Sequence, residues 1–229
     1  MTQEFDSHAS TYQAAIEKAT GLFGQKHSFF VRDKLEKLIN AFKQVDNPAN
    51  MKVLDIGCGI GLGHDELASV VGELHGVDTS EQSLALANRD HPNVKYQSYD
   101  GHRLPYANGS FDCAYAICVL HHVPKLQWTA FVAEMFRVVR PGGLLIVIEH
   151  NPLNPATQWV VRTCDLDKNA TLLFASRIRK MFNAVGIPAP RVGYTLFTPF
   201  ASASFRALDR KLSRIPLGAQ YFVTGRKPS

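Results

Sequence analysis

The stretch VLDIGCGIG, residues 53–61, joins an apolar strand-like run to a turn rich in glycine. Gly57, Gly59 and Gly61 alternate there, at the point where a strand would give way to a helix. Because glycine has no side chain, the backbone of such a turn can approach a ligand closely, and the helix behind it offers unpaired N–H groups. The stretch therefore predicts an α/β unit with a nucleotide-like ligand at the end of its strand.

The rest of the chain repeats this alternation of short apolar runs with helical stretches. Seven runs are predicted to be strands, at residues 51–56, 73–77, 93–99, 111–117, 143–149, 191–197 and 219–225. Four stretches between them are predicted to be helices, at residues 63–71, 81–89, 128–139 and 176–185. Pro141, Gly142 and Gly143 are expected to end the third helix and turn the chain into the next strand, since proline cannot continue a helix. This rhythm predicts a mainly parallel sheet covered by helices.

A single domain is predicted over residues 1–229. It divides into a helical cap, a cofactor-binding core and a substrate-side half with a lid insertion, at residues 1–48, 49–150 and 151–229. The cap is expected to hold helices near residues 9–19 and 29–45, the second with one apolar stripe. Residues 151–169 and 199–216 fit neither a strand nor a simple crossover helix, so they are predicted to be insertions near the site.

The composition suits one globular domain. The 229 residues are 45% hydrophobic and 20% charged, which excludes a disordered or collagen-like chain. No apolar run approaches the roughly 18–20 residues that cross a bilayer, and the opening MTQEFDSH has acids where a signal peptide needs basic residues. The four cysteines are too few and too scattered for a disulfide scaffold. We therefore expect a cytoplasmic protein with reduced cysteines.

The net charge of +5 is unevenly spread along the chain. Residues 171–229 hold ten Lys and Arg against one acid, whereas residues 1–170 hold fifteen against nineteen. A basic region of this kind suits a nucleic acid, an anionic lipid surface, a phosphorylated substrate or plain solvated surface. All four interpretations stay open from charge alone.

The basic region contains a predicted amphipathic helix within residues 199–216. Its apolar residues recur at three to four positions and are Phe205, Leu208, Leu212 and Ile215. We interpret this apolar stripe first as the buried, core-facing side of a helix that forms a lid over the substrate pocket. The alternative is a peripheral contact with an anionic membrane through the same segment.

Two aspartates follow the second and third predicted strands. Asp78 ends the second, where a carboxylate can accept hydrogen bonds from both hydroxyls of a ribose. Asp100 ends the third, beside the N–H of Gly101, where it can accept from the amine of an adenine or can cap its own turn. The third glycine of the dinucleotide fingerprint is replaced by Leu62, which counts against NAD and FAD.

The ordered motifs VLDIGCGIG, GVD, DGHRLP, FDCAYAICVLHHV and RVVRPGGLLIV resemble those of class I S-adenosylmethionine-dependent methyltransferases. The resemblance covers roughly residues 51–150, and the opening FDSHASTY is similar to the small-molecule branch that includes quinone-biosynthesis methyltransferases. It implies a Rossmann-like three-layer α/β sandwich, with a seven-stranded mainly parallel sheet whose last strand is antiparallel. It also implies S-adenosylmethionine as the cofactor, across the carboxyl ends of strands one to four.

The resemblance also implies which residues hold the cofactor. They are Gly57, Gly59 and Gly61 under the methionine portion, Asp55 ordering that loop, Asp78 at the ribose, Asp100 and Gly101 at the adenine, Ile117 near the sulfonium, and Tyr12 folded over the cofactor. An aromatic ring beside a sulfonium is physically apt, because a cation is attracted to a π face. For Tyr12 an ordinary core aromatic remains the alternative.

Methyl transfer from a sulfonium is an in-line displacement with dispersed charge, so positioning and water exclusion should dominate. An imidazole can accept the proton of an O–H or N–H acceptor near neutral pH. His121, after the fourth strand, is the first candidate base, and His150, after the fifth, is the second. Either can instead cap a helix or satisfy core hydrogen bonds. Glu149 and the following loop can face the substrate or form a rigid connection.

The predicted function is methyl transfer to a small-molecule or lipid-linked acceptor, with oxygen, nitrogen and carbon all open as the receiving atom. No metal is expected, because the histidines lack zinc-protease spacing and the carboxylates do not cluster. The rivals are an NAD-dependent reductase on a similar fold, a nucleic-acid methyltransferase and a non-catalytic cofactor-binding protein. Nucleic acid is disfavoured because CVLHHVP stands where base-amino methyltransferases carry Asn-Pro-Pro-aromatic.

Overall fold

The computed structural model describes residues 27–164, 167 and 169–229. Within these residues the strands are β1 (Lys52–Ile56), β2 (Glu73–Asp78), β3 (Lys95–Ser98), β4 (Phe111–Ile117), β5 (Val139–His150), β6 (Arg191–Thr195) and β7 (Gln220–Arg226). The α-helices are α1 (His27–Phe42), α2 (His64–Ala68), α3 (Glu81–Asp90), α4 (Trp128–Val138), α5 (Pro155–Thr163), α6 (Ala175–Ala184) and α7 (Ala203–Leu212). None of these helices is both long enough and apolar enough to cross a membrane.

The strands form one sheet in the order β3-β2-β1-β4-β5-β7-β6. From β3 to β5 all neighbours are parallel, whereas β7 lies antiparallel between β5 and β6. Each of the seven predicted runs is a strand. The predicted fold, a mainly parallel seven-stranded sheet with an antiparallel last strand, is confirmed. Parallel pairing brings the carboxyl ends of β1, β2, β4 and β5 to the same edge.

Alternation along the central strands divides the core into two halves, since successive side chains point to opposite faces of a sheet. Along β4, Ala114 and Ala116 pack on one face with residues of α4 and α6. Cys113 and Tyr115 pack on the other face with residues of α1 and α2. Helices on both faces make the three layers that were predicted, and they hold the carboxyl edge of the sheet on a rigid base.

The beginning of β5 departs from the prediction. β5 starts at Val139, directly after α4, so Pro141–Gly143 lie inside the strand instead of turning the chain into it. The pairing with β4 is irregular there, because Phe111 pairs with Val139 but Cys113 pairs with Leu144. An irregular stretch of this kind accommodates a proline, which has no N–H to give to the ladder.

The stretch 151–169, predicted to be an irregular insertion, contains the helix α5. Asn154 caps it, since its side chain accepts a hydrogen bond from the N–H of Thr157 at 3.0 Å. Pro155 occupies the first turn, where the missing N–H costs nothing. The predicted helix at residues 9–19 lies outside the described residues.

Helix α7 docks onto α1 through charged groups. Arg206 donates hydrogen bonds to Asp33 at 2.9 Å and to Asp209 at 2.5 Å. Asp209 is buried, whereas Phe205 and Leu208 are 37% and 42% exposed in the described part of the chain. The prediction that the apolar stripe is the core face of this helix is therefore wrong. A buried ion-pair network occupies that position instead.

Candidate active site

A cavity of about 380 Å³ opens at the carboxyl edge of the sheet. The ends of β1, β2, β4 and β5 line it, together with residues 196–199 ahead of α7. Eight of the predicted site residues line this cavity, namely Asp55, Gly57, Gly59, Asp78, Gly101, Ile117, His121 and His150. The candidates for cofactor binding and the candidate bases therefore share one space. Tyr12 lies outside the described residues.

The glycine turn after β1 needs glycine for two separate reasons. Gly57 and Gly59 have φ angles of +76° and +52°, a region that L side chains adopt at a cost. The N–H of Gly57 donates to the carbonyl of Val77, and the N–H of Gly59 donates to Asp78, both at 2.8 Å. A Cβ on Gly57 would lie 2.5 Å from a methyl of Val119, but a Cβ on Gly59 would meet no described atom within 4 Å. The open space beside Gly59 is the cavity itself.

Asp55 lies at the end of β1 and is 7% exposed. Its Oδ2 is 2.9 Å from Nε2 of His64, whose Nδ1 is 2.6 Å from the hydroxyl of Tyr96. Its Oδ1 is buried and has no hydrogen-bond partner among the described residues. An unpaired buried carboxylate oxygen is costly, so this atom suits a donor that a ligand supplies.

Asp78 lies at the end of β2, beside the glycine turn. Its carboxylate accepts hydrogen bonds from the N–H of Gly59 at 2.8 Å and of Ser80 at 2.9 Å. Burial raises the pKa of Asp78, and the backbone donors oppose that shift. Each carboxylate oxygen can accept more than one hydrogen bond, so the hydroxyls of a ribose can still donate to it.

Two predicted cofactor residues do not line the cavity. A Cβ on Gly61 would lie 2.6 Å from the hydroxyl oxygen of Tyr96, so packing within the protein requires this glycine. Asp100 is exposed and accepts hydrogen bonds from the N–H groups of His102 and Arg103, at 2.8 and 2.9 Å. The hydrogen bonds from Arg103 and His102 lower the pKa of Asp100. This geometry is that of an aspartate that caps its own turn.

His121 lies in a short helical turn, Leu120–His122, after β4 and is 2% exposed. Its Nδ1 is 2.5 Å from Oε2 of Glu149. The other oxygen of Glu149 accepts hydrogen bonds from the N–H groups of Val119 and Leu120, at 3.0 and 2.7 Å. Glu149 therefore fixes the turn that carries His121, and it is not among the residues that line the cavity.

Asp167 approaches both histidines of this turn. Nε2 of His121 and Nε2 of His122 each lie 3.4 Å from Oδ1 of Asp167. The N–H of Thr171 donates to the carbonyl of His121 at 2.8 Å, which ties the loop to the turn. Burial alone would lower the pKa of His121, but the carboxylates of Glu149 and Asp167 raise it well above its ordinary value. A carboxylate faces each ring nitrogen, so His121 is poorly placed to accept a proton.

His150 ends β5, lines the cavity and has its ring centre 5.2 Å from that of His121. Its Nδ1 lies 3.4 Å from Nε2 of Gln220, at the start of β7. Burial lowers the pKa of His150 to about 4, with a further contribution from the charge of His121. His150 is therefore neutral at pH 7.

No sequence motif pointed to Asp167 or Gln220. Asp167 lies in the loop between α5 and α6, and no spacing links it to the histidines. For Gln220 the available signal was topological, because β7 pairs antiparallel with β5 and sets Gln220 opposite His150. The order of the strands was therefore needed before this contact could be anticipated.

Comparison with known proteins agrees with this geometry. Residues 54–147 match the family described as "Methyltransferase domain". The chain is 31% identical over 144 residues to the ubiquinone biosynthesis O-methyltransferase of Sinorhizobium fredii, an alignment that covers 58% of this chain and 57% of that protein. It is 28% identical over 151 residues to the sterol 4-C-methyltransferase of Caenorhabditis elegans, covering 61% and 42%. The chain also superposes on a solved structure from Thermotoga maritima with a TM-score of 0.69 at 18% identity, covering 99% of this chain and 100% of that one. That protein is described as an S-adenosylmethionine-dependent methyltransferase and a possible histamine N-methyltransferase.

The sheet order and the glycine turn with its aspartates define a Rossmann-like nucleotide-cofactor fold. Residues 54–147 are similar to a methyltransferase domain, and the fold is that of solved S-adenosylmethionine-dependent methyltransferases. This bears out the resemblance read from the motifs, including the similarity to a quinone-biosynthesis enzyme. The chain spans about half the length of the curated relatives that it matches.

The residues of the cavity fit S-adenosylmethionine. The unpaired Oδ1 of Asp55 is matched in charge to an ammonium group. The backbone beside Gly59 leaves room for a ligand. Asp78 retains capacity for hydroxyl donors at the end of β2.

Proposed function

We propose that this chain transfers the methyl group of S-adenosylmethionine to a hydroxyl of a small-molecule or lipid-linked acceptor. One observation carries the proposal: Asp55, Gly59 and Asp78 line the same cavity as His121 and His150. The cofactor supplies a methyl group activated by its positive sulfur. The residues of the chain then have to align the acceptor, exclude water and accept a proton.

The choice of oxygen as the receiving atom rests on the histidines together with the similarity to an O-methyltransferase. The relatives name different atoms, oxygen in the Sinorhizobium fredii enzyme and carbon in the Caenorhabditis elegans enzyme. A hydroxyl must lose its proton during transfer, and an imidazole at the acceptor end of the cavity can take it. The histidine cluster suits an O–H or an N–H acceptor, and the O-methyltransferase among the relatives supports oxygen.

The cofactor side is assigned as follows. Oδ1 of Asp55 would accept a hydrogen bond from the ammonium of the methionine portion, and Asp78 would accept hydrogen bonds from the ribose hydroxyls. Gly101, with φ of +81°, allows the backbone to lie against the adenine. Because Asp100 is exposed, the adenine depends on the backbone at Gly101 more than on that carboxylate. Ile117, which lines the cavity at the end of β4, would lie beside the sulfonium.

His150 is the better placed base of the two candidates. Oε1 of Gln220 is buried with no hydrogen-bond partner among the described residues, and its amide nitrogen faces Nδ1 of His150 at 3.4 Å. If the Gln220 amide is rotated by 180°, Oε1 takes the place of Nε2 and accepts a hydrogen bond from Nδ1–H of His150. The lone pair of the imidazole then lies on Nε2, where it can accept the proton of an acceptor hydroxyl.

One wall on the acceptor side of the cavity is apolar. Val160 of α5 lines it, together with Leu196 and Phe197 from the segment ahead of α7. Apolar walls exclude water and bind a ring or an alkyl chain. They favour a phenol, a quinol or a lipid-linked hydroxyl over a charged polymer such as a nucleic acid.

We further propose that residues 199–216 contact an anionic membrane. Phe205 and Leu208 are exposed on α7, and the basic residues Arg210, Lys211 and Arg214 are exposed beside them. Apolar side chains flanked by basic ones suit the interface of an anionic bilayer. The segment continues directly from the cavity wall at residues 196–199, so a lipid-linked acceptor could enter from the membrane.

Vesicle sedimentation tests the membrane contact. We expect the chain to sediment with phosphatidylglycerol vesicles and to stay in solution with phosphatidylcholine alone. Changing Arg210, Lys211 and Arg214 to Glu should abolish sedimentation. The matched control changes the exposed α6 residues Arg177→Glu, Arg179→Glu and Lys180→Glu. Equal loss of sedimentation in both variants would show that vesicle binding depends only on total positive charge and not on residues 199–216.

We also propose the cytoplasm as the compartment. Cys58 and Cys113 are buried free thiols. Buried reduced thiols suit a reducing compartment.

Two measurements test the proposed activity. Calorimetric titration with S-adenosylhomocysteine and, separately, with NADH distinguishes the methyltransferase from the rival reductase. Transfer of a labelled methyl group to quinols, phenols and their polyprenylated forms identifies the acceptor class. Tight binding of NADH with none of S-adenosylhomocysteine would overturn the proposal.

The role of His150 has its own test. His150→Gln should lower kcat about 10²- to 10⁴-fold and leave the Kd for S-adenosylhomocysteine within about twofold. The matched control is His91→Gln, since His91 pairs with Asp65 away from the cavity. An unchanged kcat in His150→Gln would remove the base role from this residue.

A further inference from the structure

We propose that His121, His122 and Asp167 bind one divalent transition-metal ion of the zinc class at the acceptor end of the cavity. The two imidazoles and the carboxylate each offer a ligand atom, and these atoms lie within 4.8 Å of one another. All three residues line the cavity that holds the predicted cofactor residues. Sequence spacing gave no sign of this group, because its members come from one turn and one distant loop.

The distances fit a metal centre with little movement. Nε2 of His121 and Nε2 of His122 both lie 3.4 Å from Oδ1 of Asp167. An ion about 2.1 Å from each ligand, in tetrahedral arrangement, holds pairs of ligand atoms about 3.4 Å apart. Two of the three edges therefore already have the required length.

The surroundings of His121 are those of a metal ligand. Glu149 lies 2.5 Å from Nδ1, which directs Nε2 toward Asp167. Glu149 is itself held by the N–H groups of Val119 and Leu120. Metal-binding histidines commonly donate their other ring N–H to a carboxylate in this way, which fixes the tautomer and the ring orientation.

The ligand set selects the kind of ion. Two imidazoles and one carboxylate suit zinc and its first-row neighbours, whereas magnesium prefers oxygen ligands and water. Three protein ligands leave at least one coordination position for a water or a substrate. Because the three residues line the cavity, that position is open to an acceptor.

The role of the ion rests on the proposed methyl transfer, although its binding does not. An acceptor hydroxyl on the open position would become more acidic, and its proton would pass to the imidazole of His150, which lines the same cavity. The O–H bond breaks and an O–CH₃ bond forms. The S–CH₃ bond breaks with its electron pair left on sulfur, and the oxidation state of the ion does not change.

Metal content is measured on the full chain without a polyhistidine tag. After treatment with a chelator, equilibrium dialysis against Zn²⁺ should give one ion per chain, and Co²⁺ should give visible absorption bands of a low-coordinate site. His122→Ala and Asp167→Asn should weaken Zn²⁺ binding at least 100-fold. Glu149→Gln should weaken it about 10- to 100-fold through His121. Circular dichroism confirms that each variant is folded.

The matched control is Asp90→Asn, which changes an exposed aspartate that pairs with Arg89. We expect this variant to bind Zn²⁺ as the wild type does. Wild-type binding no tighter than that of Asp167→Asn would overturn the proposal. Equal weakening by Asp90→Asn would also overturn it, because the ion would then be bound by surface groups.

Calorimetry with S-adenosylhomocysteine on the same samples separates the two proposals. If the chain binds S-adenosylhomocysteine but not one Zn²⁺ per chain, the proposed metal site is refuted and the proposed function stands. One bound Zn²⁺ that is lost in His122→Ala, without any binding of S-adenosylhomocysteine, would keep the site and remove the methyltransferase role.

Discussion

Alanine at Gly57 and alanine at Gly59 should have different effects, although the two glycines share a turn. Both positions have positive φ, so each alanine carries the backbone cost of about 1–2 kcal/mol for a left-handed L residue. At Gly57 the new methyl would also lie 2.5 Å from Val119. At Gly59 it would enter open cavity space.

The contact with Val119 sets the size of the difference. Inserting a methyl into filled space costs about 1–3 kcal/mol more, which brings Gly57→Ala to roughly 2–5 kcal/mol. One kcal/mol corresponds to about 2–4 °C for a chain of this size. We therefore expect Gly59→Ala to lower the Tm by about 2–8 °C and Gly57→Ala by about 4–20 °C. Displacement of Val119 should also disturb Glu149, to which its N–H donates.

Ligand binding should reverse the ranking. The methyl of Gly59→Ala occupies space that the cofactor needs, so the Kd for S-adenosylhomocysteine should rise at least tenfold, which corresponds to about 1.4 kcal/mol. Thermal melts by circular dichroism and calorimetric titrations measure both quantities on the same samples. Equal melting temperatures for the two variants would refute the packing argument. Unchanged affinity in Gly59→Ala would refute the placement of the cofactor beside this glycine.

Three further predictions concern stability. Hydrogen bonds from Lys95 and a neighbouring histidine lower the pKa of Glu73 from 4.5 to about 2, so its stabilisation is present above pH 4.5 and is lost as the pH falls toward 2. The difference in Tm between wild type and Glu73→Gln should shrink over that range; a constant difference would contradict this. Asp33→Asn removes the charge that pairs with Arg206 in the buried network, so the free energy of unfolding in urea should fall by about 3–5 kcal/mol. A decrease below about 1 kcal/mol would show that other contacts hold α7 in place. The indole N–H of Trp128 donates to the carbonyls of Leu120 and Val123, at 2.9 and 2.8 Å, on either side of His121. Trp128→Phe removes this donor and should cost about 1–3 kcal/mol of stability and lower kcat. An unchanged kcat would show that the turn keeps its geometry without this hydrogen bond.

The strands were predictable because their signal is local. Each apolar run carries its own pattern, and the nearly continuous apolar run of β4 is enough to bury both of its faces. Helix α5 was not predicted, although the sequence contains a recognisable signal for its N-terminus. The loop after Glu149 was expected to face the substrate or form a rigid connection, but Asn154 followed by Pro155 is the pattern of an N-cap and the first helical position.

The face of α7 was not predictable from its periodicity. The stripe of Phe205 and Leu208 was expected to be buried, but the inward position is taken by Arg206 and Asp209. Burial of charges is stable only when partners are present, and the partner here is Asp33 in α1, far away in the sequence. A hydrophobic pattern contains no information about such a partner.

The cofactor side and the acceptor side differ in how far the sequence could define them. Asp55, Gly59 and Asp78 belong to successive strand–turn units, so a short motif was sufficient to bring them together. The environment of His121 needs Glu149 from β5 and Asp167 from a late loop, and that of His150 needs Gln220 from the antiparallel strand. Glu149 reaches His121 because β5 pairs with β4, whereas Gln220 reaches His150 because β7 lies antiparallel beside β5. Since the two sides are built from separate stretches, the late loop can change the groups that meet the acceptor without altering the turn that meets the cofactor.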